Sequence, residues 1–152
     1  MRKIVVSIIL IGILPLLYGQ QTYFSKRYDM LNGPDAATSV YATDSGYFVI
    51  GGFRDSSWSY RRLEILFLDM SGNIVYEKDY GEIGFDYWSG YGGSFIETYN
   101  GNYATCGTIE DSTGIDIIFL YTLNSNGDTI WTKQYDPTGS NYDIGYNCEQ
   151  TN

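Results

Sequence analysis

The sequence predicts an all-β protein made of antiparallel four-stranded blades that repeat every 55 residues. Three observations predict it. The chain holds 16 Tyr and 18 Gly against only 3 Pro and no His, a usage that suits aromatic strands and tight turns rather than helices or disorder. Sliding the chain against itself by 55 residues aligns Gly46–Glu97 with Gly101–Asn152 without a gap. Short apolar and aromatic segments are also cut at regular intervals by Gly, Asn, Asp and Ser, the residues that turns require.

The identities fall on turn glycines and strand aromatics: Gly46/Gly101, Gly52/Gly107, Leu68/Leu123, Gly72/Gly127, Lys78/Lys133, Tyr80/Tyr135, Tyr87/Tyr142, Gly90/Gly145 and Tyr91/Tyr146. A third echo lies upstream, where Phe24-Ser25-Lys26-Arg27-Tyr28 matches Tyr76-Glu77-Lys78-Asp79-Tyr80 and Trp131-Thr132-Lys133-Gln134-Tyr135. Each reads aromatic-x-Lys-x-Tyr, and in a strand that alternation sets both aromatics and the lysine on one face.

Strands are expected at Thr38–Thr43, Tyr47–Phe53, Leu63–Asp69 and Asn73–Tyr80, and again at Gly93–Thr98, Asn102–Thr108, Ile115–Leu123 and Asp128–Tyr135. Asp44-Ser45-Gly46, Tyr99-Asn100-Gly101, Asp69-Met70-Ser71-Gly72 and Asn124-Ser125-Asn126-Gly127 are the hairpin turns, since Gly and Asn accept positive φ at little cost. The third strand of each unit is a nearly continuous apolar run, as expected of a strand buried on both faces.

Four antiparallel strands in a repeat of this length match one blade of a β-propeller, a ring closed from about 4–8 such blades. In this phase the chain divides into a lone fourth strand at 22–28, a blade at 36–80, a blade at 91–135 and the start of a third at 142–152. A lone fourth strand fits a ring closed by terminal strands, so the partial propeller is expected to be completed by blades beyond Asn152. Residues 1–20 read as a signal peptide, because Met1-Arg2-Lys3 precedes an apolar run from Ile4 to Leu17 that is too short for a membrane span and ends at small or polar residues.

Removing Arg2 and Lys3 with the leader moves the net charge from -9 to -11. Such a surface repels phosphate backbones and anionic lipid heads, which argues against nucleic-acid partners. The mature protein is expected to be secreted or displayed at the cell surface rather than integral to a membrane. In that oxidising setting Cys106 and Cys148 could bridge, or could be small buried strand residues. The gap-free alignment sets them against Gly51 and Gly93, so neither occupies a repeated position.

The repeat Asp/Asn-x-x-Gly-x-x-x-aromatic-x-Lys-x-Tyr is carried by Asp69, Gly72, Tyr76, Lys78 and Tyr80, and by Asn124, Gly127, Trp131, Lys133 and Tyr135. Gly-x-Asp/Asn-Tyr-x-x-Gly-Tyr follows it at Gly84, Asp86, Tyr87, Gly90 and Tyr91, and at Gly139, Asn141, Tyr142, Gly145 and Tyr146. This unit resembles the blade repeat of secreted β-propeller-like proteins common in Bacteroidota, which often carry a sorting domain of the type IX secretion system. The spacing from Gly127 to Trp131 also looks like the blade-docking turn of quinoprotein propellers. The resemblance implies a fold and a location and transfers no catalytic residue.

Without His, the Ser/His/Asp and Cys/His nucleophile arrangements are closed, as are His-containing metal sites. Carboxylates that could form a glycoside-cleaving pair are Asp55, Glu64, Glu110, Asp111 and Asp116, although acids in connections ordinarily just face water. No Asp-rich loop has the ligand density of a Ca²⁺ site, and no cofactor is expected. The ligand-contact candidates are the aromatics of the connections, Trp58, Tyr60 and Trp88, with Phe85 and Tyr87 beside them, because an aromatic platform stacks on sugars or on partner side chains.

A non-enzymatic binding or scaffold module, holding a glycan or another surface protein, accounts for the repeats and the missing chemistry. Two alternatives are part of a propeller hydrolase with its acids on other blades, and a structural cell-surface or adhesion repeat.

Overall fold

Glycine-punctuated strands pair into two antiparallel sheets. The computed structural model describes residues 24–30, 33–54, 60–137, 139 and 141–151; the expected leader at 1–20 lies outside them. The first sheet runs β1 (Asp35–Thr43), β2 (Gly46–Arg54), β3 (Arg61–Asp69) and β4 (Ile74–Tyr80), in that spatial order. The second contains β5 (Phe85–Ser89), β6 (Phe95–Glu97), β7 (Tyr103–Asp111), β8 (Asp116–Leu123) and β9 (Thr129–Tyr135), ordered β5-β7-β8-β9 with β6 also paired to β7. Among the described residues there is no helix, and so none long and apolar enough to cross a membrane.

Local chemistry dictates the turns. Gly72 donates its N–H to Asp69 O at 2.9 Å, and Gly127 donates to Asn124 O at 3.0 Å. Both glycines sit in the left-handed region, at φ 73° and 78°, which Gly alone adopts without Cβ strain. Asp69 Oδ1 accepts from the N–H of Ser71 and Asn73, and Asn124 Oδ1 from those of Asn126 and Asp128. The amide–carboxylate pair closing each turn is reversed, Asn73 Nδ2 to Asp69 Oδ2 in one and Asn124 Nδ2 to Asp128 Oδ2 in the other. Asp and Asn therefore exchange places without changing the hairpin.

The repeat extends to the register. Leu63↔Tyr80 in the first sheet corresponds to Ile118↔Tyr135 in the second, and each ladder shifts just before Leu68 and Leu123 respectively. β7 departs from the gap-free alignment. Ile50 pairs with Ile65 while Cys106 pairs with Leu120, so Cys106 stands where Ile50 does, not where Gly51 does. The physical reason is the preceding hairpin: β1 and β2 close directly at Thr43↔Gly46, whereas Thr98 N–H bonds to Asn102 O, which makes the second loop one residue longer.

The first strand of the second sheet also differs. β1 is one strand with a bulge between Ala37 and Ser39, but its counterpart is split into β5 and β6, which flank Gly90–Ser94. The sequence placed 85–89 in a connection; pairing from Phe85↔Asp111 to Ser89↔Gly107 makes it an edge strand.

Among the described residues one core lies between the sheets. Phe48, Ile50, Leu63 and Ile65 of the first meet Tyr87, Phe95, Ile109, Phe119, Tyr121 and Leu123 of the second. Burying each such side chain contributes about 1.5–3 kcal/mol. Polar contacts fix the stacking: Arg54 Nη2 lies 2.9 Å from Asp86 Oδ2, and Asp86 Oδ1 also accepts the Arg61 N–H. One unit later, Asn141 O accepts the Asp116 N–H at 3.4 Å, so the segment 141–151 begins on the second sheet as 86–96 begins on the first.

The aromatic-x-Lys-x-Tyr motif has one job wherever it is partnered. Lys78 Nζ reaches Asp128 Oδ1 at 2.9 Å, Tyr76 OH donates to Ser125 O at 3.0 Å, and Tyr80 OH donates to Gly127 O. β4 thus clamps the β8–β9 hairpin. Residues 24–28, expected as a strand, form no ladder, yet they clamp the β3–β4 hairpin alike: Lys26 Nζ to Asn73 Oδ1 at 2.6 Å, Tyr28 OH to Gly72 O at 2.8 Å, and the Phe24 ring against Gly72. Among the described residues these side-chain contacts hold the segment without a strand ladder, so strand geometry is not needed for docking. The described residues 141–151, expected to begin a third unit as a strand, likewise lie along the second sheet outside regular strand structure.

Candidate binding cleft

Alternation along β5 divides its aromatics. Tyr87 turns into the core, 2% exposed and 6.0 Å from the Phe119 ring, while Trp88 keeps 39% exposure. Of the aromatics expected in the connection, Trp88 therefore remains available. Tyr87 is core, and Phe85 packs half-buried against it.

Trp88 opens on a cleft of about 550 Å³ between the sheets. The first sheet contributes Ala36, Thr38, Gly52 and Arg61, the second Ser89, Thr108, Glu110 and Asp116. Tyr91 and residues of the segment 141–151, notably Tyr142 and Tyr146, complete the wall. Arg61 Cζ lies 3.5 Å from the centre of the Trp88 ring, a cation–π contact that orients the indole. Asp86, which accepts the Arg61 backbone N–H, anchors the start of β3 from which that side chain extends. Tyr91 and Tyr146 stack at 5.8 Å, Tyr91 N–H donates to Tyr146 O at 2.9 Å, and Gly145 N–H donates to Thr108 Oγ1 at 3.1 Å. The wall is thereby fastened to the second sheet.

Glu110 and Asp116 are direct register partners on β7 and β8, and both line the cleft. Like charges placed opposite one another are unfavourable, so this pair sets aside some stability in return for several acceptor oxygens at one place. Burial, and then the nearby Asp143, holds the Asp116 carboxyl above the usual range.

The other sequence candidates stand elsewhere. Tyr60 is 38% exposed just before β3 and is not among the cleft residues; Trp58 and Asp55 lie outside the described residues. Asp111 caps a turn, its Oδ1 accepting from Thr113 N, Thr113 Oγ1 and Ile115 N. Glu64 lines a second, smaller cleft of about 160 Å³ with Asp35. Burial, followed by the charges of Asp35, Glu77 and Asp79, pushes its carboxyl up to about 7. Among the described residues no group of three or more Cys, Asp or Glu is arranged to hold a metal ion.

Cys106 and Cys148, far apart in sequence, are brought together as free thiols. Cys106 N–H and the Cys148 thiol share one acceptor, Ser94 O, at 3.0 and 3.5 Å. The nearby Cys148, and then burial, raise the Cys106 thiol, while the nearby Cys106 lowers Cys148 against the opposing effect of burial.

Sequence reasoning missed Arg61, Tyr91, Tyr142 and Tyr146 as cleft residues. Their signal was present in part, since Tyr91/Tyr146 and Tyr87/Tyr142 are repeat identities, but the same pattern also marks packing positions. No protein-family model matches the chain, and no curated protein matches it.

Proposed function

We propose that this chain is an exported binding module, built as part of a β-propeller, and that the cleft around Trp88 holds a neutral glycan. The observation that carries the reading is the company Trp88 keeps: a half-exposed indole oriented by Arg61, the stacked pair Tyr91 and Tyr146, and the adjacent carboxylates of Glu110 and Asp116, all on one cleft. An indole face stacks on the apolar face of a sugar ring. Two neighbouring carboxylates supply the acceptors that sugar hydroxyls need. A chain of net charge -9 with acids in the cleft disfavours anionic sugars, which makes the expected ligand uncharged. The leader at residues 1–20 supports export, and the two similar sheets support the propeller reading.

A glycan array probed with the whole chain tests this. Binding to neutral oligosaccharides that is lost in Trp88→Ala and retained in Tyr60→Ala is the expected result. Retention of binding in Trp88→Ala, or preferential capture of sialylated or sulfated glycans, would overturn it.

A further inference from the structure

Three copies of one motif meet two different environments. Tyr76, Lys78 and Tyr80 all bond the Asn124–Asp128 hairpin. Lys26 and Tyr28 bond the Asp69–Asn73 hairpin in the same way. Trp131, Lys133 and Tyr135 occupy the corresponding places on β9, where every residue is exposed, Trp131 by 42% and Tyr135 by 43%. Within the described residues, Lys133 only leans over its own neighbour Trp131, at 5.9 Å.

We propose that Trp131, Lys133 and Tyr135 form a docking site for a further unit of this same repeat, engaged through a hairpin that reads Asp/Asn-x-x-Gly-Asp/Asn. The two occupied copies define the chemistry. The lysine takes the acidic or amide side chain at the fifth position, the tyrosine hydroxyl takes the glycine carbonyl, and the leading aromatic covers the glycine, where a Cβ would intrude. An ammonium between two aromatics requires an acceptor on what covers it, which an all-apolar surface lacks. A second copy of this chain is a poor occupant, because its hairpins at Asp69–Asn73 and Asn124–Asp128 are already held by its own residues 24–28 and β4. The segment 141–151 lies on the second sheet where the next unit would begin, as 86–96 does on the first. The inference does not depend on the glycan reading, whose failure would leave it intact.

The test compares the 152-residue chain with the same chain extended by a second copy of residues 98–152, which continues the 55-residue period and supplies one more Asn124–Asp128 hairpin. In the extended protein Trp131 should be oxidised more slowly by N-bromosuccinimide, with a melting temperature raised by about 4 °C. Lys133→Glu should cancel both gains there and leave the unextended chain unchanged. Lys78→Glu, whose hairpin is already present, should lower the melting temperature of the unextended chain, an asymmetry that can be read even if the added unit does not fold. Equal effects of the two lysine substitutions in the unextended chain would overturn the proposal, as would a Trp131 reactivity indifferent to a folded extension. Concentration-dependent dimerisation of the unextended chain that Lys133→Glu abolishes, seen by sedimentation, would make a second copy the occupant and overturn it too.

Discussion

β4 and β9 carry the same lysine and tyrosine at the same register and meet opposite fates. Tyr80 is half-buried on the Gly127 carbonyl, whereas Tyr135 is 43% exposed. Burial pushes Tyr76 up to about 12 and raises Tyr80 as well. Sequence identity between the two strands therefore says nothing about what each contributes. The neighbour decides, and β4 has a neighbouring hairpin while, among the described residues, β9 has none.

A second contrast separates the two sheets and carries the largest expected effect. Where the first sheet has Ile50, the second has Cys106 with Cys148 against it. Oxidation by glutathione disulfide should form a Cys106–Cys148 bond, the two thiols losing two hydrogens as the reagent is reduced to two glutathiones. The bond should stabilise the chain by about 2–4 kcal/mol and pin the segment that walls the cleft. Mass spectrometry of the oxidised protein checks the bond and urea unfolding the gain. A mixed disulfide that never resolves would mean that the thiols do not meet.

Replacing the paired tyrosines sharpens the first comparison. Tyr80→Ala should cost about 2–3 kcal/mol, from lost packing and from a glycine carbonyl left without its donor, whereas Tyr135→Ala should cost under about 0.5 kcal/mol. Equal losses in urea unfolding would break the distinction.

The smallest effect distinguishes the sheets by pH. Glu64 sits on β3 with its carboxyl raised from 4.5 to about 7, while the corresponding residue of β8 is Phe119. Since the folded value lies above the unfolded one, protonated Glu64 favours the folded state. Its contribution is fully present below about pH 4.5 and is lost as pH rises through 7. Glu64→Gln should flatten the stability profile across that window, and an unchanged slope would assign the dependence to other groups.

Much of the fold was legible because its determinants are local. The hairpins at Asp69–Asn73 and Asn124–Asp128 follow from an Asx residue and a left-handed glycine three residues later, chemistry that needs no distant partner. β3 and β8 were legible from their nearly continuous apolar runs. β5 was not, because an edge strand is made by the strand it joins, and no local pattern announced that Phe85–Ser89 would pair with β7. The one-residue slip of β7 was hidden for a related reason: an extra residue in the hairpin before β7 is offset by a shorter turn after it, so the sequence alignment closes without a gap. The cleft was legible only at Trp88, Glu110 and Asp116. Part of its remaining wall comes from the irregular segment 141–151, whose place depends on contacts such as Gly145 to Thr108 that carry no periodicity.

The clamp between repeated units is the central structural claim, and ring-to-glycine nuclear Overhauser effects measure it most directly. The ring protons of Tyr76 and Tyr80 should show cross-peaks to the Gly127 α-protons, and those of Phe24 and Tyr28 to the Gly72 α-protons, while the Tyr135 ring shows none to either glycine. Absence of the Tyr80–Gly127 cross-peaks, or their appearance from Tyr135, would contradict the account.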